Sequence, residues 1–366
     1  MAKPKTYVDP AGVHVIAPNF KQRLSGVTST IIQLVPVQNR LGQKVAVLGP
    51  GLPPDLPHLR FRDLWKLWRP PEGRKNRVWH ARRNIEMLPG IILRDILRMP
   101  LKLVFTSASQ RKHSAWTKFL IRQMDAVIAT SAKTAAYLEV PNTVIMHGID
   151  CDKFKPAEDK AEAKRACGLD PKLRYIGCFG RIRHQKGTDL FVDAMIELLP
   201  SHPDWAAIIA GRATSKHIDF ENGLKAKVKE AGLADRILFV GEHKNIADWY
   251  RTLDLFVAPQ RWEGFGLTPL EAMATGVPVV ATDVGAFSEL LASDGPALAT
   301  LVAADDTDAM SNAVNLWISK HPTNESAADT TRSHVARNFI IAGEAERLDC
   351  IYRSTRTASD QRQGNE

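Results

Sequence analysis

Two glutamates, Glu263 and Glu271, lie eight positions apart in the stretch "RWEGFGLTPLEAMATG", with Gly264 and Gly266 between them. Carboxylates at such a separation can each accept hydrogen bonds from hydroxyl groups, and a glycine-containing turn between them exposes backbone amides that suit an anion. A second constellation, "FGRIRHQKG", carries Gly180, Arg181, Lys186 and Gly187. Two cations beside accessible amides match a diphosphate, which needs about two positive charges to neutralise it. Neither stretch is the G-x-x-x-x-G-K-[ST] phosphate loop or the G-x-G-x-x-G dinucleotide fingerprint, so neither ATP hydrolysis nor NAD chemistry is indicated. Taken singly, each pattern also has an ordinary structural explanation: a turn acid, a first-turn helix charge, or surface cations after a strand.

The elements around these residues place them. "LDLFVAP" reads as a buried strand, and "TPLEAMATG" as a helix with Pro269 in its first turn and Gly276 past its end. Amides around Phe265 to Thr268 then sit at the helix start, with Glu263 ahead of the turn and Glu271 one turn in. Apolar runs alternate with amphipathic segments along the chain: "VHVIAP", "KVAVLGP", "KLVFTS" and "AVIATS", then "RYIGCFGRI", "WAAIIAGR", "RILFVGE" and "PVVATD". That alternation predicts α/β architecture, with two doubly wound parallel-sheet domains facing a central cleft and ligands at the carboxyl ends of the strands. The expected division is 1–150 for the first domain, a charged linker over 151–170, and 171–335 for the second. Residues 336–352 form a C-terminal helix that can pack back on the first domain, and 353–366 a polar, disordered tail.

Composition narrows the class. The 366 residues suit two domains, with 44% hydrophobic and 24% charged residues. No run of about 18 apolar residues could span a bilayer, and "MAKPKTYVDP" lacks the apolar region of a secretory signal, which points to the cytoplasm. Cys151, Cys167, Cys178 and Cys350 are far apart and without a C-x-x-C pair, so they are expected to be reduced and to bind no metal. The net charge of +9 is uneven: Arg60 to Arg122 holds 16 Lys and Arg against 4 Asp and Glu, a net of 16 − 4 = +12, leaving −3 elsewhere. Trp65, Trp68, Trp79 and Trp116 are interleaved with those cations. Two readings fit this region: a solvated basic face over buried tryptophans, or a surface for anionic lipid or a lipid-linked substrate. No nucleic-acid-binding motif accompanies the charge, which argues against nucleic acid as partner.

Taken together, the motifs carry a resemblance. "EGFGLTPLE" resembles the E-x7-E signature of retaining glycosyltransferase family 4, whose fold is the two-domain GT-B arrangement. "GRIRHQKG" is similar to that family's G-R-x-x-x-x-K-G, and "VIMHGIDCDKFKP" to its interdomain V-I-x-N-G-V-D-x-x-x-F-x-P. "AMATGVPVVATDVGAFSEL" resembles the stretch after its second glutamate. The motifs run in family order from about Gly26 to Glu289. His147 stands where the family has asparagine, and Ala286 where it has a second glycine.

The resemblance implies roles position by position. Arg181 and Lys186, with Gly180, would bind the donor diphosphate; Glu263 would hold the donor sugar and Glu271 the ribose. Gly264, Phe265, Gly266, Leu267 and Thr268 would line the sugar and phosphate, and Gly26, in a loop "RLSGV", would lie against the diphosphate from the other domain. In "VWHARRN", His80 is the candidate acceptor-side and catalytic histidine, but the family often reads H-x-H there and this chain has Arg82 second. The choice between His80 and Arg82 therefore stays open, with Arg83 beside them. The implied reaction is transfer of a hexose from a nucleotide sugar with retention and without a metal or cofactor. Catalysis would come from stabilising the departing diphosphate by Arg181 and Lys186, together with Glu263 and His80. "GRIRHQKGTDLFV" and "VWHARRNIEM" further resemble the lipopolysaccharide-core mannosyltransferases of Gram-negative bacteria. This implies GDP-mannose, an anionic lipid A–Kdo acceptor and a peripheral position on the cytoplasmic face of the inner membrane. A UDP-glucose or UDP-galactose donor on another glycan, and a non-catalytic glycan- or nucleic-acid-binding protein, remain the alternatives.

Overall fold

The computed structural model describes residues 4–22, 26–292, 299–320 and 325–357. The chain forms two compact units, one running to Gly148 and resumed from Ile341, the other spanning Ile149–Ile340.

In the first unit the strands are β1 (Thr6–Tyr7), β2 (Val15–Pro18), β3 (Val45–Leu48), β4 (Pro57–Leu59), β5 (Arg77–Ala81), β6 (Leu101–Ser107), β7 (Ala126–Ala129) and β8 (Thr143–Val144). They pair in parallel in the order β1-β4-β3-β2-β5-β6-β7-β8. The second unit holds β9 (Arg174–Phe179), β10 (Trp205–Ala210), β11 (Ile237–Gly241), β12 (Leu255–Ala258), β13 (Val279–Thr282) and β14 (Ala299–Val302). Their parallel order is β11-β10-β9-β12-β13-β14. β2, β3, β5, β10, β12 and β13 are buried at every position. This is what near-continuous apolar runs do when helices cover both faces of a sheet. The strand order reverses direction between β2 and β5 in one sheet and between β9 and β12 in the other. Loops diverge at such switch points and leave room for a ligand.

Two expected boundaries change. The charged stretch 151–170 is part of the second unit: Asp159 caps the helix Lys160–Ala166, and Lys164 lies 3.2 Å from Asp254, which also accepts a hydrogen bond from the amide of Tyr175 at the start of β9. The C-terminal helix spans Ile341–Thr357, so residues 353–357 of the expected tail are helical, and 358–366 lie outside the described residues. Ile341, Ala345, Leu348 and Tyr352 enter the core of the first unit beside Ile31, Leu34 and Val104. The chain thus returns to its first unit to complete it. Among the described residues no helix is long and apolar enough to cross a membrane. All four cysteines are free thiols; burial pushes that of Cys178 up to about 12.

Candidate active site

The motif residues of the second unit converge where β9 and β12 separate. After β9 the chain turns at Gly180, passes Arg181 and buried Ile182, and makes a short 3-10 turn, His184–Lys186, before the helix Thr188–Leu198. After β12 it runs through Pro259 and Gln260 to Glu263 and the helix Thr268–Ala274. Lys186 Nζ and Glu263 Oε2 meet in a direct ion pair. Glu263 Oε1 accepts from the Gly264 amide at 2.9 Å. Two groups expected to hold different parts of a donor are therefore direct neighbours, paired through a charge-assisted hydrogen bond. Gly266 sits at φ 89°, and a Cβ there would lie 2.1 Å from Phe287 Cε1, so the turn admits only glycine. Phe265 is buried behind it.

Glu271 Oε2 accepts from the Tyr250 hydroxyl at 2.9 Å. Burial raises the Glu271 carboxyl above its usual range, countered by the Tyr250 hydrogen bond and the positive charge of Lys153. Tyr250 itself is fully buried, and desolvation, then the adjacent Glu271, hold its hydroxyl protonated. It is thus a fixed donor that orients Glu271.

Arg261 was not among the expected residues, yet it ties the two loops together. Its Nη1 and Nη2 reach the two oxygens of Asp189 at 2.7 and 2.9 Å, its Nη1 also meets the His184 carbonyl at 2.7 Å, and its Nε binds Asp305 at 2.6 Å. A bidentate guanidinium–carboxylate fork fixes geometry as well as distance. Arg261 holds the turn His184–Lys186 against the loop that follows β12. Gly177 lies inside β9, where its missing Cβ makes room for Leu253.

The first unit places its candidates at the β2/β5 switch point. Gly26 opens the helix Gly26–Arg40, with open space where a Cβ would be; Arg23, Leu24 and Ser25 of its loop lie outside the described residues. Arg83 Nη1 binds Asn19 Oδ1 at 2.8 Å and Glu86 Oε1 at 2.6 Å, and its Nη2 reaches Thr28 at 3.2 Å. Buried Glu86 also accepts from the Arg82 amide at 2.8 Å. Arg83 therefore braces the strand ends, whereas half-buried Arg82 reaches its own strand at the His80 carbonyl, 3.2 Å away, with burial lowering its pKa.

His80, the candidate acceptor-side histidine, lies in the interior. It is 1% exposed, its Nδ1 lies 2.7 Å from the Tyr352 hydroxyl, and its Nε2 lies 2.7 Å from Thr106 Oγ1. Burial, then the positive charge of Arg82, keep the ring neutral, well below its usual pKa. With both nitrogens engaged in the interior, His80 joins the sheet to the C-terminal helix. The same helix secures His147, which pairs with buried Glu344 at 2.8 Å while the other oxygen of Glu344 takes the Gly148 amide at 2.8 Å.

The basic region is also resolved residue by residue. Trp79 is core, its Nε1 bonded to the Glu86 carbonyl at 2.8 Å, and Arg77 is fully buried on the carbonyls of Val13 and Pro10, with burial lowering its pKa to about 10. Trp65, Trp68 and Trp116, by contrast, are exposed. The 3-10 helix Phe61–Trp68 touches Leu97 through Trp68 Nε1, 2.6 Å from the Leu97 carbonyl. The helix Asn84–Ile91 and its π continuation Ile92–Ile96 expose Ile85, Leu88, Ile92 and Ile96, one helical stripe. Next to it, Trp116 stacks on exposed Phe119 with centroids 5.7 Å apart. The result is an apolar surface carrying exposed Arg62, Arg69, Arg98, Arg111, Lys112 and Arg122.

Two parallel-sheet α/β units with cations, carboxylates and turn amides at a switch point define a nucleotide-sugar-type transferase of GT-B class. Comparison with known proteins agrees. The profile of the family described as glycosyl transferases group 1 matches residues 159–352. The lipopolysaccharide core biosynthesis mannosyltransferase LpsB of Rhizobium meliloti is 67% identical over 95% of this chain and 99% of its own length. LpcC of Rhizobium leguminosarum bv. viciae, which carries the same description, is 56% identical over 93% and 96%. The chain belongs to the glycosyl transferases group 1 family. In fold it is similar to HepE of Anabaena, solved with UDP (TM-score 0.78, 18% identity, 93% of this chain and 100% of that one). It is also similar to sucrose-phosphate synthase of Thermosynechococcus elongatus (0.76, 20%, 94% and 99%).

Proposed function

We propose that this enzyme transfers mannose from GDP-mannose, with retention, to an inner-core lipid A–Kdo acceptor of lipopolysaccharide. The observation that carries the reading is the 67% identity with a lipopolysaccharide core mannosyltransferase across 95% of the chain, coupled to a complete set of donor-motif residues at the β9/β12 switch point. Glu271 accepts the ribose hydroxyls, and Glu263 turns from Lys186 to the hexose. Arg181 and Lys186 take the diphosphate, and the amides of Phe265 to Leu267 approach the sugar and phosphate. As the bond from the anomeric carbon to the phosphate oxygen breaks, negative charge grows on the diphosphate, and preorganised cations lower that barrier directly. The acceptor hydroxyl attacks the same face, its oxygen bonds the anomeric carbon, and its proton passes to the departing phosphate. The charge of Arg181 and Lys186 makes a metal ion unnecessary. On the acceptor side, Arg82 replaces His80 as the candidate contact with an anionic sugar.

The apolar, cation-bearing surface around Trp65, Ile96 and Trp116 supports peripheral seating on an anionic leaflet, where indole and isoleucine side chains enter the interface and arginines meet phosphates. On this reading the enzyme works at the cytoplasmic face of the inner membrane, beside a lipid-anchored acceptor. Calorimetric titration with GDP-mannose, UDP-glucose and ADP-glucose tests the donor. GDP-mannose alone should bind at micromolar or better affinity; selective binding of UDP-glucose would overturn the assignment.

A further inference from the structure

The end of β12 carries a polar group that the donor motifs leave unused. Gln260 is 3% exposed, and its Oε1 is buried without a hydrogen-bond partner among the described residues. Its backbone is anchored on both sides. The Gln260 carbonyl accepts from Thr282 Oγ1 at 2.6 Å, and the preceding Pro259 carbonyl is packed so tightly against Gly187 that a Cβ there would lie 1.8 Å from its oxygen. Held in this way, the side chain lines a small pocket together with Gly180, Arg181, Lys186 and Thr188. A buried carbonyl oxygen left unpaired is costly, and one that persists beside two cations in a pocket calls for a partner that arrives with the ligand.

We propose that Gln260 is a donor-sugar specificity residue, its amide oxygen accepting a hydrogen bond from a hydroxyl of the hexose. The chemistry of the partner follows from that of the atom. An amide oxygen only accepts, and ionised phosphate oxygens also only accept, so the diphosphate beside Arg181 and Lys186 cannot satisfy it. A sugar hydroxyl can, and a site that hydrogen-bonds a hydroxyl discriminates strongly against a ligand that lacks one in that position. The inference rests on the nucleotide-sugar site proposed above and assigns one more of its contacts.

The test compares the affinities of the full-length wild type, Gln260→Met and Gln260→Glu for GDP and for GDP-mannose. Gln260→Met should bind GDP as the wild type does, which also shows that it is folded, and GDP-mannose at least about tenfold more weakly. Gln260→Glu keeps an acceptor oxygen and should keep the wild-type ratio of GDP-mannose to GDP affinity, even where its added charge weakens both. Equal loss of GDP and GDP-mannose in Gln260→Met would mean that the amide serves the diphosphate and would overturn the assignment, as would no loss of either. If the wild type takes a different nucleotide sugar, the same ratio is read with that sugar and its own diphosphate. Failure of the mannosyl reading and failure of the Gln260 reading are then distinct results.

Discussion

The two switch points are topologically alike and chemically opposite. At β9/β12, Lys186, Glu263, Glu271 and Arg261 are partly open, with Lys186 paired to Glu263, Glu271 held by Tyr250 and Arg261 by Asp189. At β2/β5, the histidine expected to act is sealed between Thr106 and Tyr352, and what faces outward in that unit is a broad apolar and cationic surface. The contrast suits the proposed ligands. A nucleotide sugar is small and the same at every turnover, so a rigid pocket can be specified atom by atom. A lipid-anchored acceptor arrives on a surface, and much of its recognition can be spread over charge and interfacial apolar area.

Breaking the donor side should have the largest effect. Lys186→Ala removes the cation nearest the developing charge and should lower kcat/KM by at least about 10²-fold; near-normal turnover would dissolve the distinction between the two sides. On the other side, Trp65→Ser combined with Ile96→Ser should weaken flotation with anionic vesicles by about 30-fold while leaving affinity for soluble donor unchanged. Vesicle binding that neither this pair nor added salt reduces would remove the membrane from the account. A subtler test lies in Glu271. Its raised pKa means that it takes up a proton at higher pH than an ordinary carboxylate, and the protonated form loses an acceptor for the ribose hydroxyls. Donor affinity should therefore fall as the pH is lowered toward and through that pKa. Glu271→Gln should bind about tenfold more weakly at neutral pH and show no such acid limb. The smallest catalytic effect is expected at His80: His80→Phe should cost about 2 kcal/mol of stability through two lost buried hydrogen bonds, yet leave kcat of the folded enzyme within about threefold.

How far the sequence revealed each side follows the same division. Glu263, Gly266 and Glu271 share one turn and one helix start, so their spacing alone places them around an anion site, and the α/β class follows from apolar runs that the structure buries completely. Tyr250 and Arg261 escaped notice because their work is tertiary. Tyr250 sits 21 positions before the carboxylate it orients, and Arg261 reaches Asp189 across 72. An arginine two residues before Glu263 was the available signal, and charge alone did not single it out. His80 misled because a histidine at a strand end looks the same whether it points to a pocket or to the interior. Only the C-terminal helix, 272 positions later, decides which. The charge count over Arg60 to Arg122 was likewise correct in sum and blind to burial, since it included Arg77 in the core.

The central claim is that the β9/β12 site uses GDP-mannose to extend a lipopolysaccharide core. It is tested most directly by incubating the purified enzyme with lipid A–Kdo acceptor, EDTA and either GDP-mannose or UDP-glucose, then reading product mass and anomeric configuration. The account predicts addition of one mannose from GDP-mannose, in the configuration it had in the donor and undiminished by EDTA. Hexose transfer from UDP-glucose alone, an inverted linkage, or abolition by EDTA would contradict it.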